Sequence, residues 1–284
     1  LPERSAQINV RFHNPSMPGS PSVSLIVCSP PLVCATALMN ANSAPLEAEP
    51  EFKAAAQRLA IFLQHTLLLS GDLTSARQDF YRHLARNWQP YRAAVLNKPD
   101  LECIAYADGL GYVARLHSLL YEFKAFLDIF TRMVSKLLAS SSAPNGFNKG
   151  KVDGVELSGG RFINWIAGHS AERLRSRDSL VMLLTSASRD WITAAVGLRD
   201  ALSHYRELPG LRHMRISVTN GPINLGQEHI SWPELPDGQP LPTFATALRE
   251  RLCSLVAELL PLLPNIKASL NEAWPQAERY LSET

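Results

Sequence analysis

Four motifs that would tie a chain to common chemistry are missing: G-x-x-x-x-G-K-[ST], G-x-G-x-x-G, H-E-x-x-H and G-x-S-x-G. Their absence speaks against P-loop, dinucleotide-binding, zinc-protease and α/β-hydrolase activity. Cysteine is scarce too, with only Cys28, Cys34, Cys103 and Cys253 in 284 residues. None pairs as C-x-x-C or sits at zinc spacing from a histidine, so no metal and no cofactor are expected. Cys103 and Cys253 fall in helical patterns and are expected as buried thiols. A reducing cytoplasm is the expected compartment. An excess of one charge sign is also lacking: 28 Lys+Arg stand against 26 Asp+Glu, a net charge of +2. That balance decides nothing about nucleic acid, because local basic clusters matter more than the sum.

Long hydrophobic runs are nearly absent. Residues 22–39 (SVSLIVCSPPLVCATALM) are apolar, but Pro30-Pro31 breaks them. A proline pair cannot continue a spanning helix, so no membrane association is expected. The secondary expectation for 22–39 is an export or anchoring signal, or a stretch that precedes a true start at Met39.

What the chain does have is helical periodicity. Residues 1–47, rich in Pro, Ser and Asn, read as a loose tail, and 48–284 as a helical bundle. EFKAAAQRLAIFLQHTLLL places Phe52, Leu59, Phe62, Leu63 and Leu67 on one face, with Gly71 expected to end the helix. A second helix is expected over SGDLTSARQDFYRHLARNW, capped by Ser70 or Asp72. A long helix is predicted from Leu110 to Leu138, with Leu116, Leu119, Leu120, Phe123, Leu127, Phe130 and Val134 as its apolar face. Ser140 to Gly160 reads as the main loop.

The best-patterned helix follows. Leu180, Leu184, Ala187, Trp191, Ala195, Leu198, Leu202 and Tyr205 recur at spacings of four and three, and Pro209-Gly210 closes it. Met214, Ile216 and Val218, an Asn220-Gly221 turn, then Ile223 and Leu225 predict a small β-hairpin over about 213–231. A final helix is expected in TFATALRERLCSLVAELLPLL, with Leu248, Leu252, Leu255, Val256 and Leu259 inward. The fold class is therefore all-α, a helical bundle with a small inserted β-hairpin.

Two stretches carry candidate chemistry. In AERLRSRDSL, Arg173, Arg175 and Arg177 crowd one turn. They form either a phosphate-facing patch or a solvated helix start balanced by Glu172 and Asp178. In GLRDALSHYRE, Arg199 is followed by Asp200 and, five positions on, by His204, in the last turns of the best-patterned helix. Spacing alone is weak, since Arg77–His83 and Arg206–His213 also fit it. The acidic second residue and the core-helix context distinguish Arg199–His204.

Arg199-Asp200-Ala201-Leu202-Ser203-His204 resembles the R-x(4–6)-H signature of the HEPN superfamily, all-α domains found in toxins and abortive-infection RNases. The likeness of layout covers about residues 100–264. It implies a metal-independent endoribonuclease that acts on RNA as a homodimer in defence or stress, with an antitoxin or other protein partner. The alternative it implies is a non-catalytic module binding RNA, nucleotide or a protein.

RNA carries its own nucleophile, so such an enzyme needs a base titrating near neutrality and a cation for the phosphorane charge. His204 suits the first role and Arg199 the second, through bidentate donation to phosphate. Asp200 and Ser203 are candidates to orient them, and Tyr205 to touch a phosphate or stack on a base. Arg206 and His213, with the three arginines above, are weaker phosphate-binding candidates. His65, His83 and His117 read as ordinary core or surface histidines. His169 lies near the basic turn, and His213 and His229 flank the expected hairpin. Five residues of ideal helix turn by about 140° and rise about 7.5 Å, so Arg199 and His204 diverge unless a second copy brings its own pair across.

Overall fold

Apolar residues at helical spacing build one helix of 49 residues, Glu49–Asn97 (α1), where two were expected. The computed structural model describes residues 49–97, 103–105, 110–138, 142–170, 174–205, 210–217 and 226–263. The expected tail over 1–47, Cys28, Cys34 and the Asn220-Gly221 turn lie outside the described residues. Gly71 does not end α1. It faces solvent between the buried Leu69 and Leu73, and packing on both sides outweighs the roughly 1 kcal/mol that a mid-helix glycine costs.

The strand Cys103–Ala105 (β1) and the helix Leu110–Leu137 (α2) follow. Cys103 thus lies in a strand rather than a helix. All seven residues expected on the apolar face of α2 are buried. Two ion pairs fix α1 against α2: Arg58 Nη1 donates to both carboxylate oxygens of Glu122 at 2.9 Å, and Arg115 Nε to Asp72 at 2.9 Å. Their order along the two helices reverses, so α1 and α2 run antiparallel. Phe62, Phe123 and Trp191 form an aromatic row from the core towards the half-buried Trp191, with ring centroids 6.1 and 5.8 Å apart.

Residues expected as plain loop hold a tight hairpin, Gly150–Val152 (β2) and Val155–Leu157 (β3). Asp153 (φ 51°) and Gly154 (φ 79°) form its turn, as Asp-Gly does when both central residues need positive φ. The hairpin sits against the start of the helix Gly160–Ala167 (α3). Gly150 and Gly160 approach so closely that a side chain on Gly160 would strike the Gly150 backbone. Phe147 N donates to Asp128 Oδ1 at 2.7 Å, tying the preceding segment to α2.

The signature region is a helical run interrupted by one π turn: Arg177–Ala187 (α4), Ser188–Ile192 in π geometry, then Thr193–Tyr205 (α5). The wider turn puts Ser188 and Ile192 into the core and leaves Trp191 only half-buried. Leu180, Leu184, Ala187, Ala195 and Leu202 are buried as their spacing predicts.

The strand Arg215–Ser217 (β4) pairs antiparallel with β1, in the register Ile104↔Ile216. The chain returns at Ile230, which bridges Ile216 antiparallel, and Ser231 N donates to Arg215 O at 2.9 Å. Leu241–Leu259 (α6) closes the bundle against α1 and α4, with the whole expected face and Cys253 buried. The fold is all-α with a small β insertion. No helix among the described residues is long and apolar enough to cross a membrane.

Candidate functional site

Helical phase decides what the end of α5 can bring together. Residues four apart share a face, so Arg199 lies above Ser203, while Asp200 lies above His204 about 100° further round. Arg199 is held in place: its Nη1 donates to Asp200 Oδ1 at 2.9 Å, and its Nε is sealed from solvent without a partner among the described residues. Its side chain keeps 30% of its surface exposed, so it is partly open to solvent. Lys149, just before β2, reaches the other carboxylate oxygen of Asp200 at 3.7 Å.

That approach depends on how the β2–β3 hairpin is anchored. Ser158 N, at the end of the hairpin, donates to Thr193 Oγ1 at 3.0 Å, at the first residue of α5. Asn164 Nδ2, on α3, donates to Lys151 O at 2.7 Å. The hairpin is thereby fixed at both ends, with Lys149 beside α5.

Ser203 Oγ meets a residue of another helix, His117 Nε2 on α2, at 3.4 Å, the outer edge of hydrogen-bond range. His204 is exposed to solvent. The end of α5 thus carries Arg199 and Asp200 with Lys149 beside them, Ser203 with His117 beside it, and the exposed His204 below Asp200. An arginine and a lysine flank one carboxylate there, beside two imidazoles. Such a surface favours an anion with a titratable proton donor or acceptor next to it. Arg199 and His204 are not in contact within the chain. His117 and Lys149 carry no sequence signal for this place, because they come from elements 82 and 50 residues away from Arg199.

The weaker candidates scatter. Arg177 is occupied, its Nε donating to Asp178 at 2.8 Å and its Nη1 to His169 O at 3.0 Å. The hydrogen bond and charge of Arg177 hold the Asp178 carboxyl below the usual carboxylate range. Arg175 is exposed. His213 Nδ1 pairs with the buried Tyr112 hydroxyl of α2 at 2.5 Å. Arg173, Arg206 and the side chain of Tyr205 lie outside the described residues.

The rival R-to-H pair also separates: Arg77 donates to Ile230 O at 2.9 Å and stacks on Trp232 at 4.3 Å, whereas His83 bonds the Tyr91 hydroxyl at 2.7 Å.

A second concavity runs between the π turn and α6. Cavities of about 190 and 290 Å³ share Asp190, Trp191 and Arg251 as a common wall. Ser186 Oγ donates to Asp190 Oδ2 at 3.0 Å. The sequence pattern placed Trp191 in the core, and the π turn is what presents it here. Among the described residues, no three His, Cys, Asp or Glu side chains gather as a metal-binding group. No family model, curated protein or solved structure matches the chain.

Proposed function

We propose that the α5 end is an RNA-phosphate site and that this is a HEPN-like endoribonuclease working without metal. Arg199 holds the scissile phosphate through its guanidinium, fixed by Asp200, with Lys149 adding positive charge. His204 serves as general acid/base while the 2′-hydroxyl attacks phosphorus, and the products are a 2′,3′-cyclic phosphate and a 5′-hydroxyl. Arg199 and His204 diverge on one helix, so a homodimer with both signatures facing one cleft completes the proposal. A defence or stress role, with a protein partner that restrains the activity, fits an enzyme that cuts RNA.

The observation that carries this reading is the Arg199–Asp200 hydrogen bond beside Lys149. It orients an arginine that is still partly open to solvent, as an anion site needs.

The second reading, binding RNA or nucleotide without cutting, is favoured by the 140° divergence and by the ion pair that partly neutralises Arg199.

Incubation of labelled single-stranded RNA with the protein in EDTA separates the two. Cleavage by wild type that falls at least about 100-fold in both His204→Ala and Arg199→Ala supports the nuclease. RNA binding without cleavage selects the binding module. Cleavage that survives both substitutions removes the site from consideration.

A further inference from the structure

Cleavage of RNA by its own 2′-hydroxyl requires two proton transfers, and a single histidine on α5 accounts for one. We propose that His117, delivered by α2, is the second catalytic residue: it protonates the departing 5′-oxygen while His204 takes the 2′-hydroxyl proton. This rests on the nuclease proposal above and adds a residue that the R-x4-H spacing does not contain.

Ser203 lies on the same helical face as Arg199, one turn on, and His117 Nε2 stands 3.4 Å from the Ser203 hydroxyl. The imidazole sharing the face of the phosphate-holding guanidinium is therefore His117, while His204 sits on the neighbouring face below Asp200. In the dimer cleft proposed above, a phosphate held by Arg199 then lies near His117 of the same protomer, and the His204 that faces it is supplied by the second copy. Cyclisation needs its base and acid on opposite sides of the reacting phosphorus, because the attacking and leaving oxygens are in line. His117 meets Ser203 on α5, and Tyr121 follows one turn along α2; the charged groups of the α5 end are Arg199, Asp200 and Lys149.

The step balances without a co-reactant. The 2′-oxygen forms its bond to phosphorus and loses its proton to His204. The P–O5′ bond breaks, and the leaving oxygen receives the proton carried by His117. Transfer of a proton back between solvent and the two rings restores both.

The test compares two substrates with wild type, His117→Ala, His117→Asn and His204→Ala. One is single-stranded RNA. The other is uridine 3′-(4-nitrophenyl phosphate), whose phenolate leaves without protonation. Removing a general acid lowers RNA cleavage by about 10²-fold or more and abolishes the alkaline fall of the pH–rate profile. The nitrophenyl ester, in contrast, is turned over by both His117 variants within about threefold of wild type, and His204→Ala loses both activities.

His117→Asn preserves a hydrogen-bonding partner for Ser203, so it carries the test if the alanine variant fails to fold. Equal losses on the two substrates, or no loss on either, overturn the proposal for His117 while leaving the Arg199–His204 site standing. A wild type inactive on both substrates overturns the nuclease reading and this inference with it.

Discussion

His65 shows how a single half-buried ring couples this fold to pH. It lies on α1 among the charges that join α1 to α2, and its Nδ1 is buried without a partner among the described residues. Burial holds its imidazole below the usual histidine value, Arg115 lowers it further and Glu122 opposes the shift. In the unfolded chain the ring takes up a proton near pH 6.5. Between that value and the lower folded one, the unfolded state binds more protons, so stability falls as the pH drops through this window. Urea unfolding at pH 7.5 and pH 5.5 should show a smaller acid loss in His65→Gln than in wild type. An equal loss in both would mean that other groups govern the acid limb.

Gly71 makes the opposite kind of prediction. A Cβ built there meets nothing within 4 Å, and the position is mid-helix. Gly71→Ala should therefore stabilise by about 0.5–1 kcal/mol, read as a higher denaturant midpoint at unchanged m-value.

The elements were legible in the sequence where a long periodic face decided them. The inward residues of α2 and α6 could be named because a helix that buries one stripe repeats every three to four residues. Four features escaped, among them the strand at Cys103–Ala105, which reads as helical in the sequence. Gly71 reads as a stop in the sequence, because local propensity cannot tell an interrupted helix from one held by packing on both sides. The π turn at Ser188–Ile192 leaves a sequence pattern that a regular helix would also satisfy.

The β2–β3 hairpin was missed although its signal was present: Asp153-Gly154 lies between alternating residues in KVDGVEL, inside a stretch whose Gly, Ser and Asn content reads as loop. That hairpin matters because it brings Lys149 to Asp200. Gly159 makes its link to α3 possible, with φ 80° and the Phe147 ring lying where a side chain would go. Gly159→Ala should cost about 2–5 kcal/mol, from left-handed strain together with overpacking. Thermal unfolding checks this, and a change below about 1 kcal/mol would show that the hairpin can lift away without disturbing the bundle.

For the whole molecule, the sequence alone settled that apolar surface is spread along several long helical stripes. Stripes of that kind can be buried only against one another, so an all-α bundle with minor β structure followed. It also singled out Arg199, Asp200, Ser203 and His204 as neighbours, because residues within two turns of one helix stay neighbours in any fold. It could not join His117 or Lys149 to them. Contacts between residues dozens of positions apart depend on which helix faces pack and in what register, and no local spacing encodes that. The tertiary structure made that choice. The packing of α2 on α5 set His117 against Ser203, and the anchored hairpin set Lys149 against Asp200. Chain-local geometry had already turned Arg199 and His204 apart, and long-range packing is what placed the imidazole of His117 beside Ser203.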